Sequence, residues 1–299
     1  MYNREHLIAR AIDSCLKQDF EDFEIIVVDD GSIDKSTDVV RGYSDPRITL
    51  ICHNLNRGVG PARNTGVDAA TGEWVVYFDS DDELLPGSLS IMLRRSLEVD
   101  ESISRLQFMG RIDSGDTSPD PPLKNEFWDY ERYIKWMEGC IGRRQDALPV
   151  VRRVTHKEIR FYNDRTLEGP YHLDFMKKFK AWSFPDVVAL YHQDADNQLT
   201  KASSNRLIEE AQYRALGGER LLKNHGEALR LHAPQIYRRQ ISGLATLSFL
   251  SGNRLKGIKY SFSSLASNSL SLRNWVILLF GLLGPIPLAK LKCFHARLD

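Results

Sequence analysis

Four carboxylates lie within the five residues Asp79–Glu83, directly after the apolar run 74–78. Held together at the end of a strand, these like charges would repel one another, and a bound divalent cation would remove that conflict. Mg²⁺ typically binds one or two carboxylates together with phosphate oxygens of a substrate. The cluster therefore predicts a metal–diphosphate site, with a solvated acidic turn as the alternative.

A second acidic pair, Asp29 and Asp30, ends the β-branched run 23–28 and is followed by Gly31 and Ser32. A carboxylate at this position can accept a hydrogen bond from a nucleobase N–H or a ribose hydroxyl. The alternative is a group of capping residues for the helix that follows. Both interpretations can hold together, with different residues serving each.

A glycine-rich, basic segment, residues 56–66, leads into a helix with Pro61 in its first turn. Helix N-termini attract anions, and Arg63 could reach a phosphate or hydrogen-bond a base. The segment has neither the Gly-Lys-Ser/Thr ending of a P-loop nor the spacing of a dinucleotide fingerprint. The alternative is a surface arginine beside glycines that only form turns.

The elements that must position these residues alternate along the first hundred positions. Apolar spacing predicts helices near 7–16, 61–70 and 86–97, and strands near 23–28, 48–52 and 74–78. This alternation is typical of an α/β fold with a mostly parallel sheet flanked by helices. Ligands of such sheets bind beyond the carboxyl ends of the strands, where both acidic clusters fall. Beyond residue 203 the pattern is helical throughout.

In order and spacing, these motifs resemble the family 2 glycosyltransferases over about the first hundred residues. The resemblance rests on Tyr2-Asn3, the strand ending in Asp29-Asp30-Gly31-Ser32, the segment Gly58–Gly66, and Phe78-Asp79-Ser80-Asp81-Asp82. It implies a GT-A fold and transfer of a sugar, with inversion, from a nucleotide-diphospho-sugar. The family usually opens with a strand and a Pro-Thr pair before Tyr-Asn, so we expect that the first strand is lacking here.

The resemblance also assigns roles to individual residues. Asp30, with Asp29 beside it, would bind the nucleotide base, Tyr2 would lie against the base, and Arg63 would help to hold the nucleotide. Asp79 and Asp81 would form the D-x-D motif. Asp81 and Asp82 would lie nearest the ribose and a Mg²⁺ or Mn²⁺ ion, which Asp79 would also help to bind.

An inverting transferase needs a carboxylate that takes the proton of the acceptor hydroxyl. The family often places it in an acidic pair before a helix, and Glu168-Gly169 occupies that place here. We expect Glu168 as the base and Asp174 as the second choice, because Gly169 replaces the usual second acid. Glu168 could instead be only a helix-start residue. His192, after a predicted strand, could complete the metal site, although a lone histidine is more often structural.

We expect residues 1–202 to form the catalytic domain, with 1–100 as its nucleotide-binding half and 101–202 as its acceptor half. Residues 203–299 would be a helical C-terminal region. Within it, the apolar segment 274–288 is too short to span a bilayer, but its basic flanks suit contact with an anionic membrane surface. The alternative for this segment is a buried packing helix.

Composition narrows the choice of partners. Lysine plus arginine equals aspartate plus glutamate at 40 each, so the chain has no global attraction to nucleic acid. The four scattered cysteines fit neither a zinc site nor a disulfide framework, and no signal peptide opens the chain. We therefore expect a cytoplasmic protein, at the inner face of the cell membrane if the apolar segment contacts lipid.

The sequence thus predicts a metal-dependent glycosyltransferase whose acceptor is a saccharide or lipid-linked molecule, in cell-envelope polysaccharide or glycolipid synthesis. A metal–phosphate site on a parallel sheet would also suit a nucleotidyltransferase. A degenerate homologue that binds nucleotide-sugar without turnover is the other alternative. The missing opening strand and the broken acidic pair favour it, whereas the intact cluster Asp79–Asp82 argues against it.

Overall fold

The computed structural model describes residues 1–165, 168–193, 204–267 and 272–289. The chain divides into two compact units, Met1–Ala195 and Asp196–Asp299. The predicted boundary between residues 202 and 203 lies outside the described residues.

A small parallel sheet begins the first unit. Strands β1 (Ile25–Asp29) and β2 (Ile48–Cys52) pair in register from Ile25 opposite Ile48 to Asp29 opposite Cys52. Helices α1 (Ile8–Leu16) and α2 (Ser36–Arg41) cover this sheet. The apolar positions of α1 recur at helical spacing, so they lie on one face and pack on the strands. The buried core contains Ile8, Ile12, Val27 and Val40.

The larger sheet of this unit has seven strands. They are β3 (Trp74–Val76), β4 (Glu83–Leu84), β5 (Ile103–Ile112), β6 (Thr117–Ser118), β7 (Glu126–Trp128), β8 (Leu148–Arg152) and β9 (Lys180–Tyr191). The order is β3-β8-β5-β9-β4, with β6 on β5 and β7 on β9. At its centre, Phe108 of β5 stacks on Phe184 of β9 with 5.5 Å between ring centroids.

The strand directions correct one part of the sequence prediction. Among the described residues, only the pair β5–β9 is parallel in the larger sheet, and β3 pairs antiparallel with β8. An apolar run such as Trp74–Val76 indicates burial, but it carries no information on the direction of a partner that comes much later in the chain. The predicted α/β fold class with flanking helices is confirmed, whereas the prediction of a mostly parallel sheet is wrong.

The described part of the first unit also contains α3 (Val59–Ala69), α4 (Ser88–Leu97), α5 (Tyr130–Gly139), a 3₁₀ helix (Arg153–Lys157) and α6 (Gly169–Lys178). Helix α1 joins the two sheets through polar side chains. The Ser14 hydroxyl accepts a hydrogen bond from the Leu84 N–H at 3.0 Å, and the Gln18 amide donates to the Leu85 carbonyl at 3.0 Å. These contacts fix β4, in which the acidic segment 79–83 ends.

The second unit is helical where the structure describes it. Its helices are α7 (Ser204–His232), α8 (Pro234–Leu250), α9 (Arg254–Ser267) and α10 (Leu272–Leu283). The Phe249 ring of α8 is packed closely against Gly257 and Gly281, which have no side chain to obstruct it. Across the described residues, we find no helix with both the length and the apolar character needed to cross a bilayer. The predicted helical C-terminal region is confirmed.

Candidate active site

The Asp30 carboxylate organises the loop that precedes α3. It accepts hydrogen bonds from the backbone N–H groups of Arg57 and Gly58, at 3.0 Å and 2.7 Å, and contacts His53 Nδ1 at 2.7 Å. The other ring nitrogen of His53 lies 2.9 Å from the Thr65 hydroxyl in α3. Asp30 was predicted to bind the nucleotide base; it is buried here and holds the glycine-rich loop in place.

Its neighbour Asp29 also bonds within the protein, because its carboxylate accepts from the Ser32 N–H at 3.1 Å. The Asp30 N–H donates to the Met1 carbonyl at 2.9 Å, so the start of the chain runs beside the end of β1. Tyr2 follows there with 42% of its surface exposed. Of the residues predicted to contact the base, Tyr2 is therefore the most accessible.

The acidic segment 79–83 forms the exit from β3. Asp82 is only 9% exposed, and its carboxylate accepts a hydrogen bond from the His192 N–H at 3.1 Å. Burial, followed by the charges of Asp79 and Asp81, raises the pKa of Asp82 to about 8. Burial and the charge of Asp79 also raise the pKa of Asp81. The predicted electrostatic conflict is therefore present, and a cation would relieve it.

Two arginines of the N-terminal segment counter part of this charge. An Arg4 guanidinium nitrogen lies 3.8 Å from an Asp81 carboxylate oxygen, and Arg10 donates to the Asp81 backbone carbonyl at 2.5 Å. The sequence reasoning missed both residues. The sequence gives little indication of either role, because no local pattern shows that α1 and the residues before it lie near the acidic segment.

Both ring nitrogens of His192 contact carboxylates. Nε2 lies 2.8 Å from Glu83 and Nδ1 lies 2.9 Å from Asp113. An imidazole held between two carboxylates links β4 and β9 to the loop that begins at Asp113. His192 could ligate a metal only after leaving one of these partners, so this arrangement favours a structural role over the predicted metal ligand.

Among the described residues, no group of three or more His, Cys, Asp or Glu side chains could hold a metal ion unaided. A Mg²⁺ site of the substrate-assisted kind needs only one or two carboxylates, since phosphate oxygens and water supply the remaining ligands. Asp81 and Asp82 fit that smaller donor set, because a bound cation would favour the carboxylate forms that burial and mutual repulsion now disfavour. They do not fit a complete protein cage.

Arg63 bridges two of the predicted site residues. One guanidinium nitrogen donates to Asp79 at 2.9 Å, and another forms an ion pair with Glu168. The guanidinium group also lies over the rings of Tyr77 and Phe161, at 5.4 Å and 5.6 Å from their centroids. Burial raises the pKa of the Glu168 carboxyl, and Arg63 opposes that shift. The fold thus brings together Arg63 of α3, Asp79 of the acidic segment that follows β3, and Glu168 at the N-cap of α6.

Asp174 lies in α6, six residues after Glu168. Its carboxylate accepts a hydrogen bond from the Tyr162 hydroxyl. Burial and the charge of Asp174 raise the pKa of Tyr130 to about 12. Asp174 is thus hydrogen-bonded to Tyr162, whereas Glu168 contacts the arginine that also binds Asp79, and this favours Glu168 as the base.

Asn64 ties the two halves of the site together and was missed from the sequence. This buried side chain donates to the Phe161 carbonyl at 2.8 Å and accepts from the Phe161 N–H at 3.0 Å. It also donates to the Asn163 side chain at 3.1 Å. Asn64 follows Arg63 directly, so its place in the motif was the only signal. Its partner 97 residues away was not predictable.

A buried cation lies behind Glu168. Arg105 contacts His172 Nδ1 at 3.2 Å and donates to Gln107 at 2.8 Å, and its charge lowers the pKa of Glu168. Burial, followed by the charge of Arg105, holds the pKa of His172 well below its usual range, so this imidazole is neutral. Arg105 belongs to no motif in the sequence, and its position within β5 does not by itself predict a role in the site.

Comparison with solved structures shows the fold. The structure of S. aureus TarS 1-349 in complex with UDP-GlcNAc aligns with a TM-score of 0.59 and 18% identity, over 99% of this chain and 89% of that one. A mannosyltransferase from Pyrobaculum calidifontis, in complex with GDP-Man and Mn²⁺, aligns with a TM-score of 0.54 and 17% identity, over 98% and 85%.

Sequence comparison finds relatives of higher identity, but over a shorter part of the chain. A GalNAc(5)-diNAcBac-PP-undecaprenol beta-1,3-glucosyltransferase of Campylobacter jejuni is 42% identical over 100 residues, which is 32% of each chain. The chain spans about a third of the length of the curated relatives it matches most strongly. The family model described as Glycosyl transferase family 2 matches residues 1–157, which include β1 to β8 and the acidic segment. The chain belongs to glycosyltransferase family 2.

Proposed function

We propose that this protein is a metal-dependent, inverting glycosyltransferase that moves a sugar from a nucleotide-diphospho-sugar to an acceptor hydroxyl. The observation that carries the proposal is the position of Arg63 between Asp79 and Glu168. This contact joins the D-x-D segment, where the donor diphosphate would lie, to a buried carboxylate that could serve as the base. Membership of the family supports transferase activity.

The donor would lie between the end of β1 and the acidic segment. Tyr2 and the loop held by Asp30 would contact the base, and Arg63 would approach the diphosphate. Asp79, Asp81 and Asp82 would hold Mg²⁺ or Mn²⁺, which would act as a Lewis acid on the departing diphosphate. The nucleotide-sugars in the names of the two aligned structures support this class of donor.

Glu168 would accept the proton of the acceptor hydroxyl. The acceptor oxygen forms its bond to the anomeric carbon as the bond to the diphosphate breaks, and the proton passes to the Glu168 carboxylate. Attack opposite the leaving group inverts the anomeric centre. Arg63 orients Glu168, and Arg105 keeps positive charge behind it.

The acceptor is proposed to be a saccharide carried on a lipid diphosphate, in cell-envelope polysaccharide or glycolipid synthesis. The Campylobacter relative, whose name includes a diphospho-undecaprenol acceptor, supports this assignment. We accordingly propose that the protein works in the cytoplasm, at the inner face of the cell membrane.

Calorimetric titration with UDP, GDP and dTDP, with and without Mn²⁺, tests the donor site. We expect Mn²⁺-dependent binding of one nucleotide to the wild type and its loss in Asp81→Ala/Asp82→Ala. Absence of binding by any of the three nucleotides would refute the donor site. Binding that the double variant retains would refute the assigned ligands.

A matched pair of variants tests the base. Glu168→Gln is expected to lower kcat by at least about 10² and leave nucleotide binding intact, because general base catalysis contributes about 10²–10⁴. Asp174→Asn, on the same helix, should keep most of the activity. The reverse ranking would transfer the role to Asp174.

One observation favours a second candidate, a homologue that binds donor without turnover. The usual second acid of the family is replaced by Gly169, where an added β-carbon would meet no atom of the described residues within 4 Å. A β-carbon at residue 169 therefore has room, and Gly169→Asp adds an anion to the first turn of α6, where the helix dipole favours it. Donor turnover in Gly169→Asp but not in the wild type would favour the non-catalytic homologue over the enzyme.

A further inference from the structure

Helix α10 has one packed face and one exposed face. Its packed face includes Ile277, which belongs to the buried core of the second unit, together with Asn274 and Gly281. Asn274 accepts from the Ser242 hydroxyl at 3.0 Å, and Gly281 lies against the Phe249 ring. The opposite face, continued by residue 286 beyond the helix, exposes large apolar side chains. They are Leu272, Trp275, Leu279, Leu282, Leu283 and Ile286.

This distribution differs from that of a surface helix, because α10 carries large apolar side chains on its exposed face as well as on its packed face. A surface helix turns its charged and polar residues outward and buries its apolar stripe. Contiguous exposed apolar side chains mark a contact with another apolar phase. The neighbouring helix α9 adds exposed Leu255 and Phe262.

The charge of this region is also one-sided. Residues 228–298 contain ten lysines and arginines and no aspartate or glutamate, although the whole chain has 40 residues of each sign. Arg254 and Lys259 of α9 and Arg273 of α10 are exposed within it. Exposed apolar side chains among exposed cations match the chemistry of an anionic lipid surface.

We propose that the outer face of α10 is a membrane-docking surface that lies in the headgroup region of an anionic bilayer. Trp275 and the leucines enter the boundary between headgroups and acyl chains, while the flanking cations attract anionic headgroups. This inference rests on the proposed function, because a docking surface would bring the protein to the bilayer that carries its lipid-linked acceptor.

A lipid surface explains these observations better than a second copy of the chain. Two copies that paired through this face would bring their exposed cations together with no carboxylate in residues 228–298 to neutralise them. An anionic bilayer supplies that neutralisation.

Vesicle flotation of the full chain tests the proposal. We expect binding to mixed phosphatidylcholine–phosphatidylglycerol vesicles, weak binding to phosphatidylcholine alone, and weakening by salt. Leu279→Gln/Leu283→Gln should lower the partition coefficient at least about tenfold, because two leucines no longer enter the apolar layer. These leucines are 60% and 70% exposed, so the substitutions leave the fold intact, which a thermal melt verifies.

The matched control is Leu93→Gln/Leu97→Gln on α4, another exposed leucine pair with the same spacing, 41% and 79% exposed. It should bind vesicles as the wild type does. Wild-type protein that remains unbound by anionic vesicles, or equal binding by both double variants, would overturn the proposal. A dimer in light scattering that only the α10 variant loses, without vesicle binding, would assign the face to a second copy instead.

Nucleotide titration of the same proteins separates this proposal from the proposed function. The α10 variant should bind the donor nucleotide as the wild type does. Loss of nucleotide binding in every protein would count against the donor site alone, because vesicle flotation needs no nucleotide.

Discussion

Removal of the Asn64 side chain is expected to destabilise the first unit and to misplace Glu168. Asn64→Ala leaves the N–H and the carbonyl of Phe161 without their side-chain partner. A buried polar group left unsatisfied costs about 1–3 kcal/mol, so the two groups together give about 2–6 kcal/mol of unfolding free energy.

Asn64→Ala should lower kcat more than it lowers the affinity for the donor nucleotide. Glu168 follows Phe161 by seven residues, and Arg63 directly precedes Asn64, so the tether fixes the base relative to the arginine. We expect kcat for donor turnover to fall while nucleotide affinity changes little, since the loop held by Asp30 has its own hydrogen bonds.

Urea unfolding followed by circular dichroism measures the first effect, and initial rates with calorimetry measure the second. The matched control, Asn163→Ala, removes one part-buried hydrogen bond of 3.1 Å from an exposed residue and should stay within about 0.5 kcal/mol of the wild type. An Asn64→Ala variant that unfolds at the wild-type urea midpoint would refute this reasoning.

Three further perturbations test other parts of the structure. Folding raises the pKa of Asp82 from 3.8 to about 8, so burial of the neutral acid stabilises the metal-free protein below about pH 4. That contribution to the free energy of unfolding should be lost as pH rises through about 8. In urea unfolding over the same pH range, Asp82→Asn should lose less stability than the wild type. Gly281→Ala places a β-carbon 2.3 Å from the Phe249 ring and should cost about 1–3 kcal/mol in thermal unfolding, whereas Gly243→Ala meets nothing within 4 Å and should be tolerated. Asp129→Ala removes the N-cap of α5 and should cost about 1 kcal/mol, and an unchanged melting temperature would contradict that capping role.

The sequence by itself determined the local elements and the motif positions. Helix α1, strands β1 and β2, and the acidic segment after β3 follow from apolar spacing and from runs of a few residues. Such signals are local, since each depends on neighbours within one or two turns. Membership of the family was also determined by the sequence alone, since the family model matches residues 1–157.

Only the tertiary structure decided which residues meet. Asn64 and Phe161 are 97 residues apart, and Arg63 reaches both Asp79 and Glu168 across elements that no periodicity connects. The direction of β3 depended on β8, and the partners of His192 depended on how β9 lies beside β4. Contacts of this kind are set by the packing of whole elements, because a side chain's own sequence neighbourhood carries no information about a partner brought to it by the fold.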